Sequence, residues 1–257
     1  MAFFHQCEFL MSRILSASIA GCVLLFGASG LEAGWNGCQV GVNAGFAGLD
    51  QTIKKTSVFA MPLPTGAATG GLAGGVEAGC DVSLPTFLIG VGASYDFADV
   101  TSKKTSTYHL AVIGNTIDRT LSIESRAKAI AAVSGRIGMP IGPFLIFARG
   151  GFAVTRADTA YHSLFTATRF ASSEENTLSG RKTRQGYLIG GGVEYEVTPA
   201  FSIKLEYNRY DFGACDCVVS GQQVSKGMGQ VYTRAYTTSF SDHLATDTLK
   251  AGAFYRF

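Results

Sequence analysis

Apolar and polar positions alternate along most of this chain with the period of two that marks strands. The pattern is clearest at the end, where Leu249, Ala251, Ala253, Tyr255 and Phe257 share one face and Thr248, Lys250, Gly252 and Arg256 the other. The first strand is predicted from about Gly34 to Ala47, with Cys38, Val40, Val42, Ala44 and Phe46 on its apolar face. The second, about Gly70 to Leu84, sets Leu72, Val76, Ala78, Cys80 and Val82 against Glu77, Asp81 and Ser83, and the third sets Phe87 to Phe97 in odd steps against Gly90, Gly92, Ser94 and Asp96. In the fourth, Ala127, Ala129, Ala131, Val133, Ile137 and Met139 oppose Arg126, Lys128, Ser134 and Arg136. The fifth opposes Phe144, Ile146, Ala148, Phe152 and Val154 to Arg149 and Thr155, with Leu145 and Phe147 beside them. The sixth pairs Tyr187, Ile189, Val193, Tyr195 and Val197 against Glu194 and Glu196; the seventh pairs Phe201, Ile203, Leu205 and Tyr207 against Lys204, Glu206 and Asn208.

The connections between these runs alternate long and short. Long polar connectors are expected at about 48–69, 99–124, 157–183 and 213–243, with tight turns at Pro85, at Pro140 to Pro143 and at Pro199. No proline falls inside a proposed strand, as ladder hydrogen bonding requires. A sandwich also alternates in hydrophobicity but has no reason to keep its connectors strictly long then short. An eight-stranded, antiparallel, up-and-down transmembrane β-barrel does, with four long loops on one rim and short turns on the other. A final aromatic on the lipid-like face then stands at the interface girdle, and Leu249, Tyr255 and Phe257 are expected to act as a terminal assembly signal.

Composition adds an export route. Ser12 and Arg13 form a positive start, Ile14 to Phe26 an apolar run and Ala28 to Ala33 a small-residue exit, so residues 1–33 read as an N-terminal extension plus cleaved leader and 34–257 as the barrel domain. Met11 is the expected start. The stretch Ile19-Ala20-Gly21-Cys22 has lipoprotein-box spacing, yet the apolar run continues beyond Cys22. A net charge of +2 over 257 residues argues against a nucleic-acid binder, and a cell outer membrane location follows, with lipid, lipopolysaccharide and the barrel-assembly machinery as partners.

Phasing each strand by its apolar face assigns a lumen set: the acids Glu77, Asp81, Asp96, Glu194, Glu196 and Glu206, and the bases Lys128, Arg136, Arg149, Lys204, Lys250 and Arg256. An eight-stranded barrel is just wide enough for its own side chains, and buried charges must pair. The expectation is therefore an ion-pair plug rather than a selective pore. Enzyme chemistry finds little support. His109, His162 and His243 sit in expected connectors, Ser241-Asp242-His243 is sequence adjacency rather than a triad, and the glycine runs lack the strand-turn-helix setting of a phosphate cradle. No catalytic residue, metal site or cofactor is expected. The basic pairs Lys54-Lys55, Lys103-Lys104 and Arg181-Lys182 could touch lipopolysaccharide phosphates, with solvated charge as the simpler account.

Removal of the leader leaves Cys38, Cys80, Cys215 and Cys217, in a compartment that favours disulfides. Cys38 and Cys80 share a face on adjacent antiparallel strands and can bridge if directly opposite. Cys215 and Cys217 could bridge each other only with strain, and pairing across loops or between molecules stays open.

Several stretches carry a resemblance: Trp35-Asn36-Gly37, Val40-Gly41-Val42-Asn43-Ala44-Gly45, Gly70 to Gly75, Lys204 to Gly213 and Ala251 to Phe257. With them the chain resembles the small outer-membrane surface-antigen barrels of Gram-negative alphaproteobacteria, related to the OmpA-type transmembrane domain. The resemblance implies an envelope-stabilising barrel with antigenic loops. It also implies an alternative, since some similar proteins are porin-like or haemin-binding, which would bring haemin or host surface molecules to the loops. Such proteins usually carry aromatics where this chain has Cys38 and Cys80, and paired replacement on neighbouring strands is what a disulfide would look like.

Overall fold

The computed structural model describes residues 35–56, 69–112, 115–168 and 171–257. The leader, the lipoprotein-type box, His5, Pro62, Pro64 and the boundary between residues 33 and 34 lie outside them. Eight antiparallel strands close into one ring: β1 (Gly37–Thr56), β2 (Thr69–Ser83), β3 (Leu88–Val112), β4 (Asn115–Ile141), β5 (Phe144–Ala167), β6 (Ser172–Thr198), β7 (Phe201–Gly227) and β8 (Gln230–Arg256). Sequence neighbours pair all round, and β8 closes on β1, with Phe46 opposite Leu249 and Val40 opposite Tyr255. Just beyond the end of β8, Phe257 N–H donates to the Cys38 carbonyl at 2.8 Å and Cys38 N–H to the Phe257 carbonyl at 3.1 Å.

The outward faces carry the apolar residues read from the alternation. Phe152 is 74% exposed and Leu72 72%, and Val42, Phe97, Ile137, Ile189, Ile203 and Leu249 project beside them around the ring. Such a band is too large for a soluble surface; facing hydrocarbon it costs nothing, and the ring leaves no strand edge unpaired in lipid.

The tight turns fall where expected. Among the described residues the long connectors differ from the expectation: most of their length is strand. Strands β3 to β8 run 24 to 27 residues, or 25 for β3, whereas crossing a bilayer takes about 9–11. The excess forms ladders that rise beyond the apolar band; β7 and β8 meet at Met228-Gly229, both with positive φ. Beyond the membrane the outward face is wet, and many inward positions, such as Ser102, Ser125 and Thr159, are buried although polar, so the ladder persists with little apolar–polar contrast.

Two irregularities matter for the site. The register slips between Ala127 and Ile130 on the β4–β5 ladder. A bulge of this kind adds a residue to one strand and reverses the alternation beyond it: Ile130, Ala132 and Ser134 point inward below it, and Leu121, Ile123, Ser125 and Ala127 above it. The β6–β7 ladder is also interrupted between Ser179 and Tyr187.

Candidate functional site

The lumen is filled in layers. At the turn rim Trp35, Leu88 and Leu145 pack together. Above them Arg136 donates from Nε to Asp81 at 2.7 Å and from Nη1 to Glu194 at 3.0 Å, with a further contact from Nη2 to Asp81. Arg256 donates to Glu194 at 2.9 Å, lies 3.9 Å from Glu196 and covers the Trp35 ring, 4.8 Å from its centre. Ser202 Oγ completes the Glu194 shell at 2.6 Å.

A second layer crosses the barrel. Lys204 donates to Glu77 at 2.7 Å, and its Nζ sits 3.9 Å over the Phe254 ring. Arg149 reaches Glu206 at 2.9 Å and Glu77 at 3.3 Å; Lys250 joins Glu206, at 3.3 Å, to Asp96, at 2.8 Å. Small residues make these contacts possible. Gly90 lies so close to the Asp81 carboxylate that an added Cβ would overlap it, and one at Gly41 would strike the Phe254 ring. Above the charges comes an apolar layer that includes Leu49, Val100, Ile130, Leu188, Tyr210, Phe212 and Leu244.

Eleven of the twelve charged residues assigned to the lumen are thus brought together there. Lys128 is not. The bulge turns it outward, where its Nζ pairs with Asp158 at 2.8 Å and the side chain is half exposed. Six carboxylates therefore face five bases. The apolar inward residues Phe254, Tyr210 and Leu188 were not read from the alternation, because an aromatic on a polar face looks like noise; Leu145 and Phe147, noted beside Arg149, were the available hint.

Cys38 and Cys80 stand directly opposite in the β1–β2 register, on the outward face, with their sulfurs bonded at 2.09 Å. Leu249, Tyr255 and Phe257 all project outward, with the last two rings 6.5 Å apart. The other two cysteines among the described residues, Cys215 and Cys217, lie in the outer part of β7 with Sγ atoms 3.7 Å apart, and Arg184 contacts Cys217 at 3.0 Å and Asp242 at 2.6 Å. Burial, with Asp242 beside it, pushes the Cys217 thiol up to about 12, so it stays protonated at neutral pH.

The three described histidines do not converge. His109 meets Asp118 at 2.6 Å, His162 meets Glu175 at 3.0 Å and His243 meets Asp211 at 3.1 Å. Asp242 faces the interior and His243 the opposite side, since neighbours in a strand point apart, so Ser241-Asp242-His243 builds no relay. Among the described residues no group of three or more His, Cys, Asp or Glu side chains is placed to hold a metal.

Comparison with known proteins agrees with the barrel. The chain is 24% identical over 185 residues to the 31 kDa outer-membrane immunogenic protein of Brucella melitensis biotype 1, covering 70% of this chain and 72% of that one. It is 27% identical over 105 residues to the 22 kDa outer membrane protein of Rhizobium leguminosarum bv. viciae, covering 41% and 43%. Among solved structures it is similar to Neisserial surface protein A, at 13% identity and TM-score 0.37 over 89% of this chain and all of that one. Outer membrane protein OprG of Pseudomonas aeruginosa is another, at 10% identity and TM-score 0.43 over 88% and 99%. The family profile described as outer membrane protein beta-barrel domain matches residues 18–257. An outward apolar band, a closed ring and that match over most of the sequence identify the chain as a member of the outer membrane protein β-barrel domain family, located in the cell outer membrane.

Proposed function

We propose that this protein is a non-catalytic surface barrel of the outer membrane, with a lumen closed by its own charges and outer hairpins displayed to the surroundings. The observation that carries the reading is the cross-lumen network of Glu77, Lys204, Arg149, Glu206, Lys250 and Asp96, capped by the apolar layer above it. A solute entering from either rim meets side chains already bonded to one another, and parting a buried pair costs about 3–5 kcal/mol. The immunogenic Brucella relative supports display at the surface. Assembly runs through the barrel-assembly machinery, with Leu249, Tyr255 and Phe257 as its recognition element.

The haemin-binding alternative has no observation in its favour, since each outer histidine is engaged with a separate carboxylate. Planar-bilayer conductance of the refolded protein, with a parallel haemin titration, tests the proposal. Negligible conductance and no saturable haemin binding are expected. Stable channels would refute the closed lumen, and a saturable haemin site would refute the non-binding role.

A further inference from the structure

Just above the apolar band, the outward faces of β3 to β6 carry a collar of cations. Lys103 lies on β3, Arg126 and Lys128 on β4, Arg156 on β5 and Arg181 on β6, all with exposed side chains. The ladder makes them neighbours: Arg126 stands opposite Thr101 on one side and Asp158 on the other, Asp158 stands opposite Arg181, and Lys103 stands opposite Glu124. Arg126 Nε donates to Thr101 Oγ1 at 3.1 Å. Lys128 and Arg181 share the Asp158 carboxylate, at 2.8 and 2.6 Å. Among the described side chains of this band five cations meet two carboxylates, Glu124 and Asp158, around an open depression of about 520 Å³ lined by Arg126, Lys128, Asp158 and Arg181.

Height and side fix what such a collar meets. Phe152 and Val154 lie on the same outward face of β5 as Arg156, so the apolar band begins one or two side chains, or about 7–14 Å, below it. In barrels of this kind short turns face the periplasm and the long connections the exterior, which puts the collar at the headgroup level of the outer leaflet. The surface contributed by β7 and β8 differs. There Arg209 pairs with Asp247 at 3.1 Å, Tyr207 donates to Asp247 at 2.7 Å and Tyr187 to Asp211 at 3.1 Å, leaving no excess of positive charge among those groups.

We infer that the β3–β6 collar is a binding site for the phosphorylated sugar headgroup of lipid A, with Arg126, Lys128, Arg156 and Arg181 contacting phosphate while the acyl chains lie along Phe152, Val133 and Phe97. Arginine suits this role because its planar fork matches phosphate oxygens in pairs. The bulge at Ala127/Ile130 creates the site: without it Arg126 and Lys128 would point into the lumen.

Lipid binding by the detergent-extracted, folded barrel, read by native mass spectrometry, tests the inference with bisphosphorylated lipid A, its monophosphorylated form and phosphatidylglycerol as probes. Each basic side chain near an anionic lipid surface is worth about five-fold in affinity, so R126Q/K128Q/R156Q is expected to weaken bisphosphorylated lipid A about hundred-fold. Arg209→Gln, on the β7 side, is expected to leave it unchanged. Monophosphorylated lipid A and phosphatidylglycerol are expected to bind more weakly to the wild type. Equal binding of all three probes, or a folded triple variant that keeps wild-type affinity, overturns the inference. Should the triple variant fail to show the heat-modifiable mobility of a folded barrel, Lys128→Gln alone, with an expected five-fold loss, decides the question.

Discussion

Replacing Arg136 with methionine isolates the energetics of the closed lumen. Arg136 is the sole cation contacting Asp81 among the described residues, and their side chains are only 10% and 2% exposed. Glu194, the other partner, keeps Arg256 and Ser202. The variant therefore strands one carboxylate, not two, in a dry interior, and the cost of an uncompensated buried charge is about 3–5 kcal/mol. Asp81→Asn on its own leaves Arg136 with Glu194 and is expected to cost less. In the double variant no charge is orphaned, so its destabilisation falls short of the sum of the two, with a coupling of about 2–3 kcal/mol. Urea unfolding in phospholipid vesicles measures this, and the single tryptophan reports it, since Trp35 is buried at the turn rim beneath Arg256. Effects that add within about 0.5 kcal/mol, the range seen for independent sites, would refute the argument that these groups hold one another in place.

Three further outcomes are expected. Reducing the Cys38–Cys80 bond, which spans 42 residues of sequence, or replacing both with serine, lowers stability in the same unfolding experiment by about 4 kcal/mol from loop-closure entropy; an unchanged midpoint contradicts it. Asp158 is held at about 2 by hydrogen bonds from Arg181 and Lys128, below its ordinary 3.8. Because the folded value lies below the unfolded one, its contribution to the outer hairpins is complete above about pH 4 and lost as pH falls toward 2. Carboxyl NMR should place the midpoint near 2 and move it upward in Arg181→Gln; a midpoint near 3.8 in the wild type rules this out. Deleting Phe257 removes both hydrogen bonds it exchanges with Cys38 across the β1–β8 seam and is expected to lower the amount of protein reaching the outer membrane, so unaltered levels would count against a terminal assembly signal.

What could be read from the residues follows the solvent on each face. Within the membrane one face meets lipid and the other a polar lumen, so the contrast at Val40 to Phe46 or Phe201 to Tyr207 is strong and the strands are legible. Beyond it the contrast disappears: Thr101 to His109 and Thr233 to Ser239 are polar on both faces, and they looked like loops although Thr and Tyr favour extended backbone. The misplaced Lys128 has the same kind of origin. Phasing assumed one unbroken period along β4, while the unbroken apolar run from Ala129 to Val133 was the only trace of the slip. The Cys38–Cys80 pairing depended on register, which a period of two leaves undefined until both the turn and the partner strand are in place.

The β4 bulge also makes the outer hairpins sensitive to parity. Losing the extra residue, for instance Ala129, would close the bulge with both faces unchanged: Ala127 and Ile130 would stand two places apart, both inward, and Leu121 and Ile123 would stay in the interior. Losing two residues would instead set the two halves of the strand out of phase, turning Leu121 and Ile123 out to water and bringing Arg126 in above the apolar layer. Length changes at this point of the chain are therefore expected to be accepted when one residue is lost and rejected when two are.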